Sequence, residues 1–142
     1  MKFIILTLFL NVSLNLVAQS ENVVGTYEFK HETTDGGVLK YTLALNHDGT
    51  FLFDSYTKDT RAIPPEKNSL GKGQWTLDNN IVTLMTSTKD VTESHALDLS
   101  HTKARFNRTS PRDLTDSIIK TKITIYSTNI FWLKGIELLR RD

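Results

Sequence analysis

Histidine is the residue type in this chain with the widest capacity for metal and acid–base chemistry, and it occurs as His31, His47, His95 and His101. A zinc site needs three or four converging ligands, so any histidine pair here would need distant partners. If residues 95–101 form one strand, His95 and His101 share a face and Asp98 lies on the opposite one. We therefore expect surface histidines, with no metal site and no cofactor.

Catalytic motifs with a known mechanism are missing from the sequence. There is no Gly-x-Ser-x-Gly, no His-Glu-x-x-His and no phosphate-cradling glycine loop, since Gly71-Lys72-Gly73 is short and leads into a strand pattern. Glu28 and Glu32 would share a face of the first strand, where carboxylates are more often solvated than catalytic. We predict no catalytic residues and a protein that is not an enzyme.

A run of basic residues is the most distinctive charge feature. The basic stripe, defined as Lys103, Arg105, Arg108 and Arg112, follows His101 with no acidic residue in between. An anionic headgroup, a polysaccharide or the acidic patch of a partner protein could dock on such a stripe, and the alternative is a solvated strand and loop. These four residues are the candidate anion- or partner-binding site.

The first residues of the chain predict export. Met1-Lys2 gives a positive start, residues 3–10 are apolar apart from Thr7, and small residues follow at Ala18-Gln19-Ser20. This order is typical of a secretory signal peptide, whereas a membrane-spanning helix needs about 20 mostly apolar residues. We predict a signal peptide over residues 1–18, with cleavage possible up to Ser20, then one domain over residues 19–142 and no transmembrane segment after cleavage.

Composition narrows the class of partner and the compartment. Without Lys2, 16 basic residues balance 16 acidic ones, so the mature chain has no general attraction for nucleic acid. The absence of cysteine excludes a disulfide scaffold, a thiolate metal site and a lipid anchor on cysteine. An exported domain without disulfides fits a bacterial periplasm or exterior, and we expect a periplasmic or secreted bacterial protein.

The first predicted hairpin consists of two strands joined by His47-Asp48-Gly49. A three-residue loop pairs Leu43 with Phe53 and Leu45 with Phe51, which places four large apolar side chains on one face. Gly49 would then take the left-handed position of a type I turn followed by a bulge.

The second predicted hairpin has a two-residue turn at Asn79-Asn80. This turn pairs Trp75 with Leu84 and Leu77 with Val82, so one face is again apolar. Asparagine tolerates the positive φ that such turns require.

A third hairpin is predicted between Lys122 and Leu133, with a turn near Thr128-Asn129 that brings Ile125 opposite Trp132. The opening and closing strands are predicted over Val23–Lys30 and Ile136–Leu139. About eight strands at hairpin spacing favour a barrel or a sandwich.

Two segments depart from the strand pattern. The stretch Thr57–Leu70 is polar and contains Pro64-Pro65, so it reads as a long loop over one end. Ser110 followed by proline and an acidic residue predicts a short helix over Pro111–Ile119. Residues 91–102 fit neither the helical nor the strand period.

Three turn and strand motifs carry a resemblance to a known architecture. Gly25-Thr26-Tyr27 is followed by Leu45-Asn46-His47-Asp48-Gly49-Thr50-Phe51 and then by Gly73-Gln74-Trp75. This succession resembles the small lipocalin-like domains of exported bacterial proteins over about half of the predicted mature chain. The resemblance implies an all-β fold, a single antiparallel up-and-down β-barrel of about eight strands, that could hold an apolar ligand.

The sequence therefore predicts an exported, non-enzymatic protein that binds a small apolar or amphipathic ligand inside a barrel. The candidate lining residues are Tyr27, Phe29, Leu43, Phe51, Phe53, Trp75 and Trp132. A solidly packed interior would contradict this hypothesis, because side chains alone can fill a small eight-stranded barrel. The alternative is a cell-envelope module that binds a protein or glycan through the basic stripe or a barrel edge, and a hydrolase or isomerase is the third.

Overall fold

The computed structural model describes residues 22–108 and 121–141, so the predicted signal peptide and the predicted Pro111–Ile119 helix lie outside the described residues. The strands are β1 (Gly25–Glu32), β2 (Val38–Leu45), β3 (Thr50–Lys58), β4 (Glu66–Asp78), β5 (Ile81–Met85), β6 (Thr102–Asn107), β7 (Lys122–Ser127) and β8 (Glu137–Arg140). One 3₁₀ turn, Phe131–Leu133, precedes β8.

The eight strands form one closed antiparallel barrel in which each strand pairs with the next along the chain. The ring closes between β1 and β8, where Tyr27 lies opposite Arg140 and Glu28 opposite Leu139. The predicted all-β, up-and-down barrel is thereby confirmed. In such a barrel, every second connection along the chain lies at the same end. We call the end formed by connections 33–37, 59–65, 86–101 and 128–136 the mouth.

The first predicted hairpin is confirmed in its register. Leu43 lies opposite Phe53 and Leu45 opposite Phe51, and all four side chains are buried. Gly49 has a φ of 83°, the left-handed conformation that a side chain rarely adopts. The loop chemistry and the apolar pattern thus select the same pairing.

The second predicted hairpin is confirmed as well. Trp75 pairs with Leu84, and the turn residues Asn79 and Asn80 have φ values of 48° and 63°. Both angles are positive, as the two-residue turn requires.

The third predicted hairpin is wrong. Ile125 does not lie opposite Trp132, because β7 pairs with β8 and residues 131–133 form the 3₁₀ turn. Leu133 is fully buried, Phe131 is 87% exposed, and Trp132 packs sideways on Tyr41. In a strand, successive side chains point to only two opposite faces. The side chains of residues 131–133 point in three different directions, which is incompatible with a strand.

The predicted long loop over Thr57–Leu70 is also wrong, because only residues 59–65 connect β3 to β4. Thr57 and Lys58 end β3 and pair with Lys67 and Glu66 of β4. This part of the sheet is held by backbone hydrogen bonds between β3 and β4. Such bonds do not require apolar side chains, so the polar composition of the segment did not reveal the strands.

The barrel interior is filled by side chains over most of its depth. Large residues with an exposure of at most 2% come from six of the eight strands and from the segments beside them. They are Val23, Tyr27, Leu43, Leu45, Phe51, Phe53, Val82, Leu84, Leu99, Ile123, Ile125, Leu133 and Leu138. This is the packed core that a small eight-stranded barrel is expected to have.

Two glycines on the inner side of β4 make room for the core. A Cβ on Gly71 would lie 2.7 Å from a methyl carbon of Leu99, which enters the barrel from connection 86–101. A Cβ on Gly73 would lie 2.1 Å from the Met85 carbonyl oxygen at the end of β5. The Gly71-Lys72-Gly73 motif therefore serves close packing.

Arg140 fastens the end of the barrel opposite the mouth. Its guanidinium lies 5.3 Å from the centre of the Tyr27 ring and donates hydrogen bonds to the Tyr27 hydroxyl and the Val24 carbonyl, both at 3.0 Å. The Tyr27 hydroxyl donates in turn to the Val23 carbonyl at 2.6 Å. Burial raises the pKa of Tyr27, so this phenol stays protonated at neutral pH.

Candidate functional site

A cavity of about 240 Å³ opens at the barrel mouth, above the packed core. It is lined by Tyr41 of β2, Ser55 and Thr57 of β3, Lys67 and Ser69 of β4, and Trp132 of the 3₁₀ turn. Its walls therefore come from three neighbouring strands and one connection.

Strand register explains why these residues meet. Tyr41 lies opposite Ser55, and Ser55 lies opposite Ser69 on the next strand, so the three form one row across the sheet. Thr57 lies opposite Lys67 in the next inward-facing row. The inward side of β3 thus changes from phenylalanine to small hydroxyl residues near the mouth, and the smaller side chains leave volume unfilled.

The barrel is uneven at this end. β4 pairs with β3 from Glu66 onward but pairs with β5 only from Gln74 onward. Along the edge of β4 that faces away from β3, Gly71 forms one isolated β-bridge with Leu97. The ends of β3 and β4 therefore project beyond β5 and hold Thr57, Lys67 and the rest of the inner wall in an accessible position.

One wall of the cavity is an aromatic cluster. The ring centres of Tyr41 and Trp132 lie 5.1 Å apart, and those of Tyr41 and Phe29 lie 5.7 Å apart in a stacked arrangement. Phe53 supports the cluster from below, 6.1 Å from Tyr41 and 6.5 Å from Trp132. Such spacings are favourable for aromatic pairs and hold the Trp132 ring in place.

Two hydroxyl groups of the cavity have no hydrogen-bond partner among the described residues. Tyr41 is 4% exposed and Ser55 is 7% exposed as whole residues, and neither hydroxyl forms a hydrogen bond with any described residue. Their oxygen atoms are open to the cavity, because the fully buried side-chain oxygens without a hydrogen-bond partner in the described structure belong to Glu28 and Asp54. Burial raises the pKa of Tyr41, so its hydroxyl remains protonated and able to donate at neutral pH. Hydroxyl groups that open on a cavity without a protein partner are available to bind water or a ligand.

Two further polar groups of the cavity, the Lys67 ammonium and the Trp132 indole N–H, also lack a partner among the described residues. Lys67 forms no ion pair with the described residues, and the Trp132 indole N–H donates to none of them. Within the described part of the chain, the side chains that line the cavity include no carboxylate. The cavity therefore combines an apolar aromatic wall with hydrogen-bond donors and one positive charge.

The predicted lining residues divide into two groups. Trp132 lines the mouth cavity, and Phe29 and Phe53 belong to the aromatic cluster that supports it. The other four lie in the core below the cavity and are Tyr27, Leu43, Phe51 and Trp75. The Trp75 indole N–H donates to the Asn46 carbonyl at 3.0 Å, so its polar group is already paired.

The sequence reasoning missed Tyr41, Ser55, Thr57, Lys67 and Ser69. A usable signal was present, because the inward alternation of Phe51 and Phe53 continues without interruption through positions 55 and 57. Because Thr57–Leu70 was predicted to be a loop, the inward-facing positions Lys67 and Ser69 of β4 were not recognised.

The basic stripe is only partly assembled on one surface. Lys103 and Arg105 project outward from β6 and are exposed, and the Arg105 guanidinium lies 6.0 Å from the centre of the Tyr126 ring. Arg108 donates to the Asn22 side chain at 3.2 Å, near the end opposite the mouth. Arg112 lies outside the described residues.

The histidines do not converge. His31, His47 and His101 are exposed, and His95 is half-buried with its Nδ1 3.1 Å from the Ser94 hydroxyl. Within residues 22–108 and 121–141, no three histidine, cysteine or acidic side chains come together as a metal site would require.

A second concave region lies on the outer face of β1 to β4. It has a volume of about 480 Å³ and is lined by Lys30, Val38, Lys40, Thr42, Asp54, Tyr56 and Asn68. Two of its polar groups already have partners, since Lys40 lies 3.5 Å from a Glu28 carboxylate oxygen and the Tyr56 hydroxyl bonds to Glu66. The mouth cavity differs in its lining, because it has an aromatic wall and no carboxylate among the described residues, whereas the outer region includes Asp54, which has one buried oxygen without a hydrogen-bond partner.

Comparisons with known proteins return no match, whether the chain is set against protein-family models, curated proteins or solved structures. The closed eight-stranded antiparallel barrel is consistent with a lipocalin-like architecture. No helix in the described part of the chain is long and apolar enough to cross a membrane.

Proposed function

We propose that this chain is an exported, non-enzymatic binding protein that holds a small amphipathic ligand at the barrel mouth. The observation that supports this most strongly is a cavity in which the hydroxyls of Tyr41 and Ser55, without a partner among the described residues, lie beside an aromatic wall. A ligand that accepts hydrogen bonds from them would gain about 0.5–1.5 kcal/mol for each bond.

The packed core limits where the proposed ligand could bind. Tyr27, Leu43 and Phe51 have no exposed surface, so the lower barrel has no room for a guest. Ligand pockets are typically apolar clefts with a few converging polar groups, and the mouth cavity has that composition. The packed core below the cavity therefore supports a ligand that lies at the mouth and does not run through the barrel.

The architecture and the first twenty residues support the remaining parts of the proposal. A lipocalin-like domain exported to a bacterial periplasm or exterior accounts for the turn motifs, the signal-like N-terminus and the absence of cysteine. Sequencing the N-terminus of the protein recovered outside the cytoplasm would test export, and an intact Met1 would contradict it.

The binding proposal is tested by native mass spectrometry on the mature chain purified from its own exporting cells, followed by solvent extraction. Wild-type protein should carry a reproducible extra mass. Ser69→Phe, which fills the cavity, should lose that mass. Asn68→Phe adds the same ring at the adjacent position on the outer face and should retain it. A bare wild-type chain, or equal loss in both variants, would contradict the proposal.

A second candidate function is binding of an acidic partner or glycan through the basic stripe. Lys103 and Arg105 are exposed and form no ion pair with the described residues, whereas Lys30, Lys122 and Arg141 each lie near a carboxylate. Unpaired surface charge can attract an anionic partner. Because the barrel is closed, the stripe is a better basis for this function than a barrel edge.

Charge reversal separates the two functions. Replacing Arg105, Arg108 and Arg112 by glutamate should abolish retention on immobilised heparin, used as a polyanionic glycan probe, while the extra mass at the mouth persists. Ser69→Phe should show the opposite pattern. Unchanged retention of the charge-reversed variant would count against the second function.

A further inference from the structure

Every polar side chain that lines the mouth cavity can donate a hydrogen bond. The ammonium of Lys67 and the indole N–H of Trp132 can only donate hydrogen bonds, and the hydroxyls of Tyr41, Ser55 and Ser69 can donate as well. In the described part of the chain, no carboxylate joins this lining. Such a set of groups favours a ligand whose polar part accepts hydrogen bonds and carries negative charge.

The number of positive charges limits the charge of the ligand. Lys67 is the one cationic side chain among the residues that line the cavity in the described structure. One ammonium with neighbouring hydroxyl donors matches a carboxylate, whereas phosphate recognition usually gathers several cationic or backbone donors. The lining therefore favours a monoanion.

The volume of the cavity limits the size of the ligand. At about 240 Å³, it lies just below the range of roughly 300–1,000 Å³ that is usual for drug-sized ligands. The fully buried Phe51 and Leu43 close the barrel beneath it, so a long alkyl chain cannot extend downward. The cavity has room for a ring system but not for a lipid tail.

The wall of the cavity limits the shape of the ligand. Trp132 is half-buried and its ring is held between Tyr41 and Phe53, at 5.1 Å and 6.5 Å between ring centres. A fixed aromatic ring at the edge of a cavity offers a stacking surface for a flat partner, with an attraction beyond that of buried area alone. A planar ring uses this wall better than a branched aliphatic group does.

Building on the proposed binding function, we infer that the ligand is a small aromatic carboxylic acid. Its ring stacks against Trp132 and Tyr41, and its carboxylate accepts hydrogen bonds from Lys67 and the hydroxyls of Ser55 and Ser69. Charge recognition by Lys67 makes the site selective for the acid over an uncharged analogue of the same shape.

The test compares two probes that share a ring system and differ in charge, 2-naphthoate and 2-naphthamide, by isothermal titration calorimetry at neutral pH. Wild-type protein should bind the carboxylate about tenfold more tightly than the amide, the size expected of a charge-assisted hydrogen bond to a partly exposed lysine. Lys67→Met should remove this preference by weakening the carboxylate alone, and Lys67→Arg should restore most of it.

Lys103→Met is the matched control, since it removes the same charge from the outside of the barrel and should leave both affinities unchanged. Thermal unfolding of each variant checks that it is folded.

Equal wild-type affinity for acid and amide, or equal weakening of both by Lys67→Met, would overturn the inference and leave the binding proposal standing. A bound extra mass in the native protein combined with no affinity for 2-naphthoate would also overturn it. Failure of the binding proposal would show itself separately, as a wild-type chain that carries no extra mass.

Discussion

The rings of Tyr41 and Trp132 meet at 5.1 Å between their centres at the mouth of the barrel, although one belongs to β2 and the other to the connection before β8. The Tyr41 ring also stacks on Phe29, and its hydroxyl is open to the cavity without a partner among the described residues. This contact joins the packed core to the cavity above it. The proposed ligand would use both properties, stacking on the rings and accepting a hydrogen bond from the hydroxyl.

Removing the Trp132 ring should weaken binding. Trp132→Ala eliminates the stacking wall, so we expect 2-naphthoate affinity to fall by about tenfold or more, from lost ring contact and buried area. Trp132→Phe keeps a ring and should lose about threefold at most by the same reasoning. Calorimetric titration measures both, with Phe131→Ala as the control because the neighbouring Phe131 is 87% exposed. Equal losses in Trp132→Ala and Phe131→Ala would contradict the assignment.

Tyr41→Phe should separate stability from binding. The Tyr41 hydroxyl has no hydrogen-bond partner among the described residues and is open to the cavity, so its removal should change the free energy of unfolding by less than about 1 kcal/mol. Binding of 2-naphthoate should weaken, because a donor is lost. In Tyr27→Phe the hydroxyl has partners, and we expect a loss of stability of about 1 kcal/mol. Urea unfolding checks both, and a clear destabilisation by Tyr41→Phe would show that its hydroxyl has a structural partner.

Arg140 should be important for stability and not for binding at the mouth. Arg140→Met removes hydrogen bonds to the Val24 carbonyl and the Tyr27 hydroxyl, so unfolding should become easier by about 2 kcal/mol. Its neighbour Arg141 is more exposed and lies 3.4 Å from Glu28, a surface pair whose loss should cost under about 1 kcal/mol. Urea unfolding of Arg140→Met and Arg141→Met should separate the two. Similar stabilities would show that Arg140 does not fasten the barrel end.

The two inner glycines should respond differently to an added methyl group. In Gly73→Ala the new Cβ would meet the Met85 carbonyl oxygen, part of the backbone, and we expect a loss of about 3 kcal/mol. In Gly71→Ala the nearest atom is a Leu99 methyl carbon, which can shift, so the loss should be about 1 kcal/mol. Thermal or urea unfolding measures the difference. A greater loss in Gly71→Ala would mean that the packing around β4 differs from the structure described.

The parts of the fold that the sequence predicted correctly are those set by local chemistry. Gly49 and the Asn79-Asn80 pair require particular backbone angles, and each fixes a hairpin register that also aligns apolar side chains. The hairpin around Trp132 was predicted wrongly because its position depends on contacts with Tyr41 and Phe53, which are distant in sequence. Local patterns carry no information about such contacts.

The polar half of the candidate site could not be recognised for a related reason. Ser55, Lys67 and Ser69 have no apolar character, and strand pairing through the backbone places them on the inner wall. Whether the aromatic residues lined a cavity or filled a core also depended on the final packing. The structure assigns most of them to the core and leaves the cavity to a mixed set of residues at the mouth.

The two tryptophans of the chain offer the most direct test of the proposed site. Their indole N–H groups give separate signals in a ¹H–¹⁵N correlation spectrum of the mature chain. Trp132 lines the cavity, while the Trp75 N–H is bonded to the Asn46 carbonyl in the core. Titration with 2-naphthoate should shift the Trp132 indole signal in a saturable manner and leave that of Trp75 nearly unchanged. A saturating titration that moves neither signal, or that moves only that of Trp75, would contradict a ligand site at the barrel mouth.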